Sequence, residues 1–298
     1  MRARVAGRFH KGDGYIQNLT LDRQEPQRED WNVRGIIEWD VTDNLELNLK
    51  AEHGEFDVDG RNIEIYNELP STSPSPLFHG KTYAQILTTI GALSPTDAFV
   101  VDPSVLNNVK DGKRSANGDT SDNTSDTYVL TANLDTSIGT LTSISGYNKF
   151  KYGELCDCDF TGATILTVDL DEKYEQFSQE IRLASDTKGK LDYIVGGFFQ
   201  TSNHSYRDAI NIPTNSLLIP VINIQAPGFG TLTGGTRAAR EANVDTSILS
   251  AFAQVNYDIT DQFRVTVGGR VTHEKKEGDR TLTIQTLAGA DLTGMMFI

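Results

Sequence analysis

Trp31-Asn32-Val33-Arg34-Gly35-Ile36-Ile37-Glu38-Trp39-Asp40 runs through Val41-Thr42-Asp43-Asn44 into Leu45-Glu46-Leu47-Asn48-Leu49-Lys50-Ala51-Glu52. Trp31, Val33, Gly35, Ile37 and Trp39 occupy alternate positions of the first segment, as Leu45, Leu47, Leu49 and Ala51 do of the second. Side chains two apart in an extended chain share a face, so each segment has one apolar and one polar face. Two such segments around a short polar turn make an antiparallel hairpin. The same period recurs in Phe177, Ile181 and Leu183 against Ser178, Glu180 and Arg182, and in Leu191, Tyr193, Val195, Gly197 and Phe199. It returns in Phe263, Val265, Val267, Gly269 and Val271 against Arg264, Thr266 and Arg270, while 139–152 keeps the phase less cleanly. The expected fold is all-β, with about nine or ten strands.

The connections alternate in length. Val41–Asn44, Asp135–Ile138, Ser185–Lys190 and Ile259–Gln262 are tight turns. Between them lie long polar stretches at about 55–126, 152–175 and 203–245, with a further one before Asp30. A soluble sandwich carries turn signals every 8–12 residues at both ends. Short turns on one rim and long loops on the other is the pattern of a large antiparallel transmembrane β-barrel, with periplasmic turns and extracellular loops. Glu38-Trp39-Asp40-Val41-Thr42-Asp43-Asn44-Leu45 also nearly repeats in Asn256-Tyr257-Asp258-Ile259-Thr260-Asp261-Gln262-Phe263. Trp39 and Tyr257 are expected at the membrane interface, where amphipathic rings are favoured.

Composition agrees. A formal charge of −14 argues against a nucleic-acid partner, and 38% hydrophobic residues is low for a globular enzyme. The longest apolar run, Leu217 to Ile222, is broken by Pro220, so no helical membrane span is present. The N-terminal Met1-Arg2-Ala3-Arg4-Val5-Ala6-Gly7-Arg8 has no apolar core of a signal peptide. Neither a phosphate-binding Gly-rich loop nor a nucleophile elbow nor a helical carboxylate pair supports an enzyme or a cofactor. Tyr83, Ile86, Leu87, Ile90 and Leu93 fall at helical spacing inside the longest loop, with Ser94-Pro95-Thr96-Asp97 as a second helix start. Thr201–Asn243 reads as irregular.

Candidate functional residues are few. Arg34, Glu46, Lys50, Glu180, Arg182, Arg264 and Arg270 fall on the polar face, which lines the lumen. Arg34, Glu180, Arg182, Arg264 and Arg270 are the ligand-contact candidates, against the alternative that any wide barrel has a charged, wet interior. Cys156 and Cys158 are best read as a loop pair without metal. A disulfide across one residue would be strained and would need an oxidising compartment. With Glu154, Asp157 and Asp159 nearby a metal set is conceivable, yet no His or further Cys completes a tetrahedron. His10, His53, His79, His204 and His273 are scattered, and iron ligation by His79 or His204 has no supporting motif.

Gln176-Phe177-Ser178-Gln179-Glu180-Ile181-Arg182-Leu183-Ala184-Ser185, followed by Leu191-Asp192-Tyr193-Ile194-Val195-Gly196-Gly197-Phe198-Phe199, resembles the mid-barrel hairpin of TonB-dependent receptors. Thr140–Tyr147, Ala251–Thr260 and Gly268-Gly269-Arg270 resemble neighbouring parts of that barrel. The resemblance implies a 22-stranded barrel, an N-terminal plug and a TonB box that couples transport to the inner-membrane proton gradient. It implies residence in the outer membrane of a Gram-negative bacterium, in contact with its lipid and lipopolysaccharide, and a nutrient ligand such as a ferric siderophore. Saccharide or cobalamin uptake, a passive porin and a secreted β-sandwich binding module are the alternatives. The chain departs from the family by its strand number and by the lack of a plug, a TonB box and an aromatic-ended closing strand before Gly294–Ile298. The expectation is therefore a fragment, residues 1–298 being part of a barrel domain whose plug contacts the TonB complex, because open edges in lipid are untenable.

Overall fold

The computed structural model describes residues 1–93, 106–186, 189–286 and 289–294. The wall begins with β1 (Arg2–Gly12) and, after the short strands β2 (Ile16–Asn18) and β3 (Arg23–Glu25), continues with β4 (Gln27–Thr42) and β5 (Leu45–Asp59). A loop holding helix α1 (Tyr83–Leu93) and the short β6 (Lys113–Arg114) leads to β7 (Thr120–Thr136), β8 (Gly139–Cys156), β9 (Thr167–Ala184) and β10 (Leu191–Ile212). Helices α2 (Leu218–Gln225) and α3 (Phe229–Thr233) precede β11 (Thr236–Thr260) and β12 (Phe263–Thr286). Nine strands form one antiparallel sheet in the order β1-β4-β5-β7-β8-β9-β10-β11-β12, whose two edge strands do not pair with each other. β3, β2 and β6 form a separate small sheet.

Register gives the faces. Leu45, Leu134, Leu141, Leu183, Val195, Ala253 and Gly269 are successive cross-strand partners from β5 to β12, a row drawn wholly from the apolar set. Cross-strand partners share a face, so the period-two pattern of each strand is locked into one continuous apolar surface. Val33, Ile37, Leu49, Leu130, Ile181, Phe199, Val255 and Val267 all lie on it and are all exposed. That is the arrangement of a lipid-facing band, since water would drive such side chains inward. Trp39 and Tyr257 lie on the same face just before their turns.

The near-repeated turns are repeated structures. Each hairpin shifts register at the equivalent place, between Asp40 and Thr42 and between Asp258 and Thr260. A bulge there tightens local twist and lets two residues close the turn. In the first turn Thr42 Oγ1 donates to Asn44 Oδ1 at 2.7 Å; in the second the Gln262 amide donates to Thr260 Oγ1.

Three expectations are corrected. The strands run past the alternating segments, so the loops are 60–119, 157–166 and 213–235 in place of 55–126, 152–175 and 203–245. The stretch before Asp30 is not a loop throughout, because β1 pairs with β4 over eleven residues. Thr201–Asn243 is not irregular: it continues β10 and β11 and holds α2 and α3 between them. Pro220 is tolerated in α2 because it sits in the first turn, where amides lack helical partners anyway. Helix α1 forms where the apolar spacing placed it. The expected cap Ser94-Pro95-Thr96-Asp97, Thr187-Lys188 of one turn and Met295–Ile298 lie outside the described residues.

Candidate functional site

The five predicted ligand contacts lie on the polar face of the wall but are not gathered at one point. Arg34 on β4 stands in register with Glu52 and Ala6. Arg182 donates to Glu180 on its own strand at 3.0 Å. Arg264 makes two bonds to Asp258, of 2.5 and 2.8 Å, beside the tight turn. Arg270 donates to Thr272 at 3.1 Å and to Ser250 at 3.0 Å. Only Arg182 and Arg270 share a row, Thr142–Arg182–Gly196–Phe252–Arg270. A Cβ on Gly196 would meet Phe252 Cζ at 2.5 Å and Arg182 Cβ at 3.0 Å, so glycine makes room for that ring against the strand.

Higher on the polar face lies a group the sequence did not reveal. Phe150, Tyr174 and His204 are successive cross-strand partners on β8, β9 and β10. Phe150 stacks on Tyr174 with centroids 5.5 Å apart, and His204 meets Tyr174 edge-on at 6.0 Å. One rung above, Tyr152, Glu172 and Tyr206 form the next row. His204 Nε2 lies 2.7 Å from Glu172, which holds the imidazole upright on the wall. Stacked rings beside a His–carboxylate pair offer flat, polarisable contact to a planar ligand. The signal that could have found them is parity: all of these residues occupy the lumen phase of their strands.

Above the wall the long loops fold together. Phe78, Leu87, Ile90, Ala163 and Leu217 form a buried apolar cluster, which joins α1 to the loops after β8 and β10. Beneath it lies a polar network. Arg114, 3% exposed, reaches Asp119 at 2.9 Å, Glu25 at 3.4 Å and the Arg61 carbonyl at 2.9 Å. Asn18, which is buried, donates to Glu25 and to the Ala116 carbonyl, both at 3.1 Å. Arg61 pairs with Asp119 at 3.2 Å and with Glu154. Gly60 has φ +85°, and a Cβ there would strike the Glu25 side chain at 2.4 Å, so only glycine lets that side chain pass.

Cys156, at the end of β8, and Cys158, in the loop after it, are joined by a disulfide despite the single residue between them, which withdraws both from any metal set. Among the described residues no group of three or more His, Cys, Asp and Glu is placed to hold a metal ion. His79 instead bonds the Ser73 carbonyl at 3.0 Å. The bridged turn carries Asp157 inward, where its amide donates to Asp119 Oδ1 at 2.8 Å and its Oδ2 accepts from the Asn117 amide at 2.7 Å. This one residue ties the loop after β8 to the end of the loop after β5.

Burial, with the neighbouring Asp159 second, pushes the Asp157 carboxyl up to about 8. Burial also raises Asp159. An acid whose folded pKa exceeds its unfolded value stabilises the fold below the unfolded value and loses that contribution as pH rises through the folded one. The loop contact is therefore expected to weaken from about pH 4 to about pH 8. Limited proteolysis of 157–166 should accelerate across that window, and Asp157→Asn should flatten the dependence. A pH-independent wild-type rate would refute it.

A nine-stranded antiparallel sheet with one continuous apolar face, tight turns on one rim and folded loops on the other is the wall of a membrane β-barrel. Residues 71–294 match the family model "TonB dependent receptor-like, beta-barrel", and the chain belongs to that family. In structure it is similar to the ferric yersiniabactin uptake receptor FyuA from Yersinia pestis, with a TM-score of 0.61 at 15% identity, over 97% of this chain and 36% of that one. It is also similar to the siderophore receptor PiuA from Acinetobacter baumannii, with a TM-score of 0.47 at 11% identity, over 95% of this chain and 43% of that one. The chain thus spans about a third to under a half of the length of these receptors. No curated protein matches the sequence.

Proposed function

We propose that this chain is part of the wall and mouth of an outer-membrane receptor for TonB-dependent uptake of a ferric siderophore or similar chelate. The observation that carries the proposal is the division of the connections: every long loop lies on one rim, where the loops pack into a shared cap, and every tight turn lies on the other. That asymmetry suits capture from one side and coupling from the other. The FyuA likeness supports the fold, and its name supplies the substrate class proposed. In this reading the loop cap and the Phe150–Tyr174–His204 rank contact the ligand. Arg34, Glu180, Arg182, Arg264 and Arg270 line the passage against ligand or plug. Trp39 and Tyr257 rest at the interface of the outer membrane on the side of the tight turns. The protein acts as a transporter, with no chemical step of its own.

Topology tests it. A cysteine placed at Asn215 in intact cells is expected to react with an impermeant maleimide, and one at Asp43 is expected to be shielded. The reverse pattern would put the tight turns outside and end the capture argument. Ligand class is tested separately: Tyr174→Ala should lower affinity for a ferric siderophore in whole-cell binding while leaving surface abundance unchanged.

A further inference from the structure

The loop after β8 opens with Asp157-Cys158-Asp159-Phe160-Thr161-Gly162, which has carboxylates at its first and third positions, a hydroxyl at the fifth and glycine at the sixth. This is the spacing of the opening half of a calcium-binding loop, in which alternate side chains turn oxygen toward one point. The glutamate that closes such a loop at its twelfth position is replaced by Val168. The Cys156–Cys158 bridge ties up both sulfurs, so the turn offers oxygen alone.

The two carboxylates lie inside the cap without a cation. Asp157 is 1% exposed, and its Oδ1 is closed to solvent and has no hydrogen-bond partner. Its Oδ2 is already taken by the Asn117 amide at 2.7 Å. Asp159 stands within hydrogen-bonding reach of the Asp157 side chain, so two carboxylates meet at one point. Asp159 Oδ1 accepts from the Thr161 amide at 3.0 Å and from the Thr161 hydroxyl at 2.6 Å. Tyr83 closes the pair from α1, its hydroxyl donating to the Asp159 carbonyl at 3.2 Å. The other buried acids of the cap are matched by arginine: Glu25 by Arg23 and Arg114, Asp119 by Arg61 and Arg114. Among the described residues neither Asp157 nor Asp159 makes an ion pair.

We propose that Asp157 and Asp159, with the Thr161 hydroxyl, hold a calcium ion that pins the loop after β8 into the cap. Burying two like charges without a counter-ion is costly, and a divalent cation between them cancels both. An ion held by an oxygen closed to solvent has to shed water on that side. Magnesium gives up its waters reluctantly and demands an octahedron, whereas calcium accepts an irregular set of about 6–8 oxygens. Two carboxylates and a hydroxyl supply part of that set, and backbone carbonyls and water supply the rest. Zinc and softer metals favour nitrogen or sulfur, which this turn does not present. The ion adds a cross-link where Asp157 already meets Asn117 and Asp119.

The full chain in detergent, stripped with a chelator, is dialysed against radioactive calcium at neutral pH. Wild type is expected to bind one ion per chain that D157N/D159N does not, because the amides keep the hydrogen bonds from Asn117 and Thr161 but carry no charge. Saturating calcium should slow chymotrypsin cleavage at Phe160 at least fivefold in wild type and leave the variant unchanged. Equal uptake by wild type and variant, or none by either, overturns the site, and the two acids then share only a proton. Magnesium displacing calcium at equal concentration overturns calcium as the occupant. Binding by purified protein does not depend on transport, so failure here leaves the uptake reading standing, and a reversed topology leaves this site standing. Should the double variant lose its cap, seen as cleavage faster than in chelator-stripped wild type, D159N alone must lose the ion, and retention counts against the proposal.

Discussion

Arginine at Val267 is expected to cost the inserted barrel about 2–4 kcal/mol, and arginine at the adjacent Thr266 close to nothing. Val267 is 69% exposed and faces Val255 across the β11–β12 ladder, within the apolar surface. Thr266 faces Asn256 on the opposite side, with Arg264 and Arg270 on the same phase. A guanidinium at Val267 must leave water for hydrocarbon, whereas at Thr266 it joins other charges in a wet lumen. Denaturant titration of folding into lipid vesicles measures both. Equal costs would reverse or erase the assignment of faces.

Arg114→Ala is expected to open the loop cap. Its guanidinium is the cation between Glu25 and Asp119, and all three side chains are almost fully buried. Removing one partner of a buried charge group costs up to about 3–5 kcal/mol, because Glu25 and Asp119 stay desolvated with only Arg23, at 3.0 Å, and Arg61, at 3.2 Å, left to offset them. The loss is local: proteolysis within 13–26 and 60–119 should accelerate by orders of magnitude, while the sheet keeps its heat-modifiable migration. Arg114→Lys, which retains the charge but not the forked geometry, should fall between. Wild-type resistance in Arg114→Ala would falsify the claim that this network holds the cap.

The membrane-embedded part of the fold was legible because lipid and lumen impose opposite demands on successive residues. Trp31–Glu52 and Phe263–Val271 alternate for that reason, and the faces read from them are those the register shows. The upper halves of β10 and β11 were missed for the converse reason. From Asn203 to Ile212 and from Thr236 to Asp245 both faces are wet, so the hydrogen-bond ladder continues where the hydropathy signal stops. Helix α1 was visible because its apolar residues pack on Phe78 and Leu217 and so keep helical spacing. The candidate site was mostly hidden. Glu25, Arg114 and Asp157 are brought together only by tertiary structure, and the Phe150–Tyr174–His204 rank needs the register of three strands to appear. The Arg and Glu residues chosen from the sequence share the polar face but are spread along the wall.

Strand length carries one more consequence. β10, β11 and β12 have 22, 25 and 24 residues, and β4 and β5 have 16 and 15. A membrane crossing uses about 9–11 residues, and each further tilted residue adds about 2.5 Å of height. The mouth is therefore a slanted collar, standing roughly 30 Å clear of the lipid over β10–β12 and about half that over β4–β5. The longest loop springs from the low side and leans toward the tall one. In the orientation proposed above, a solute arriving from outside would meet a stiff backstop and a folding awning well before it reached the bilayer, and its first encounter would be in open water, beyond the crowd of lipid headgroups.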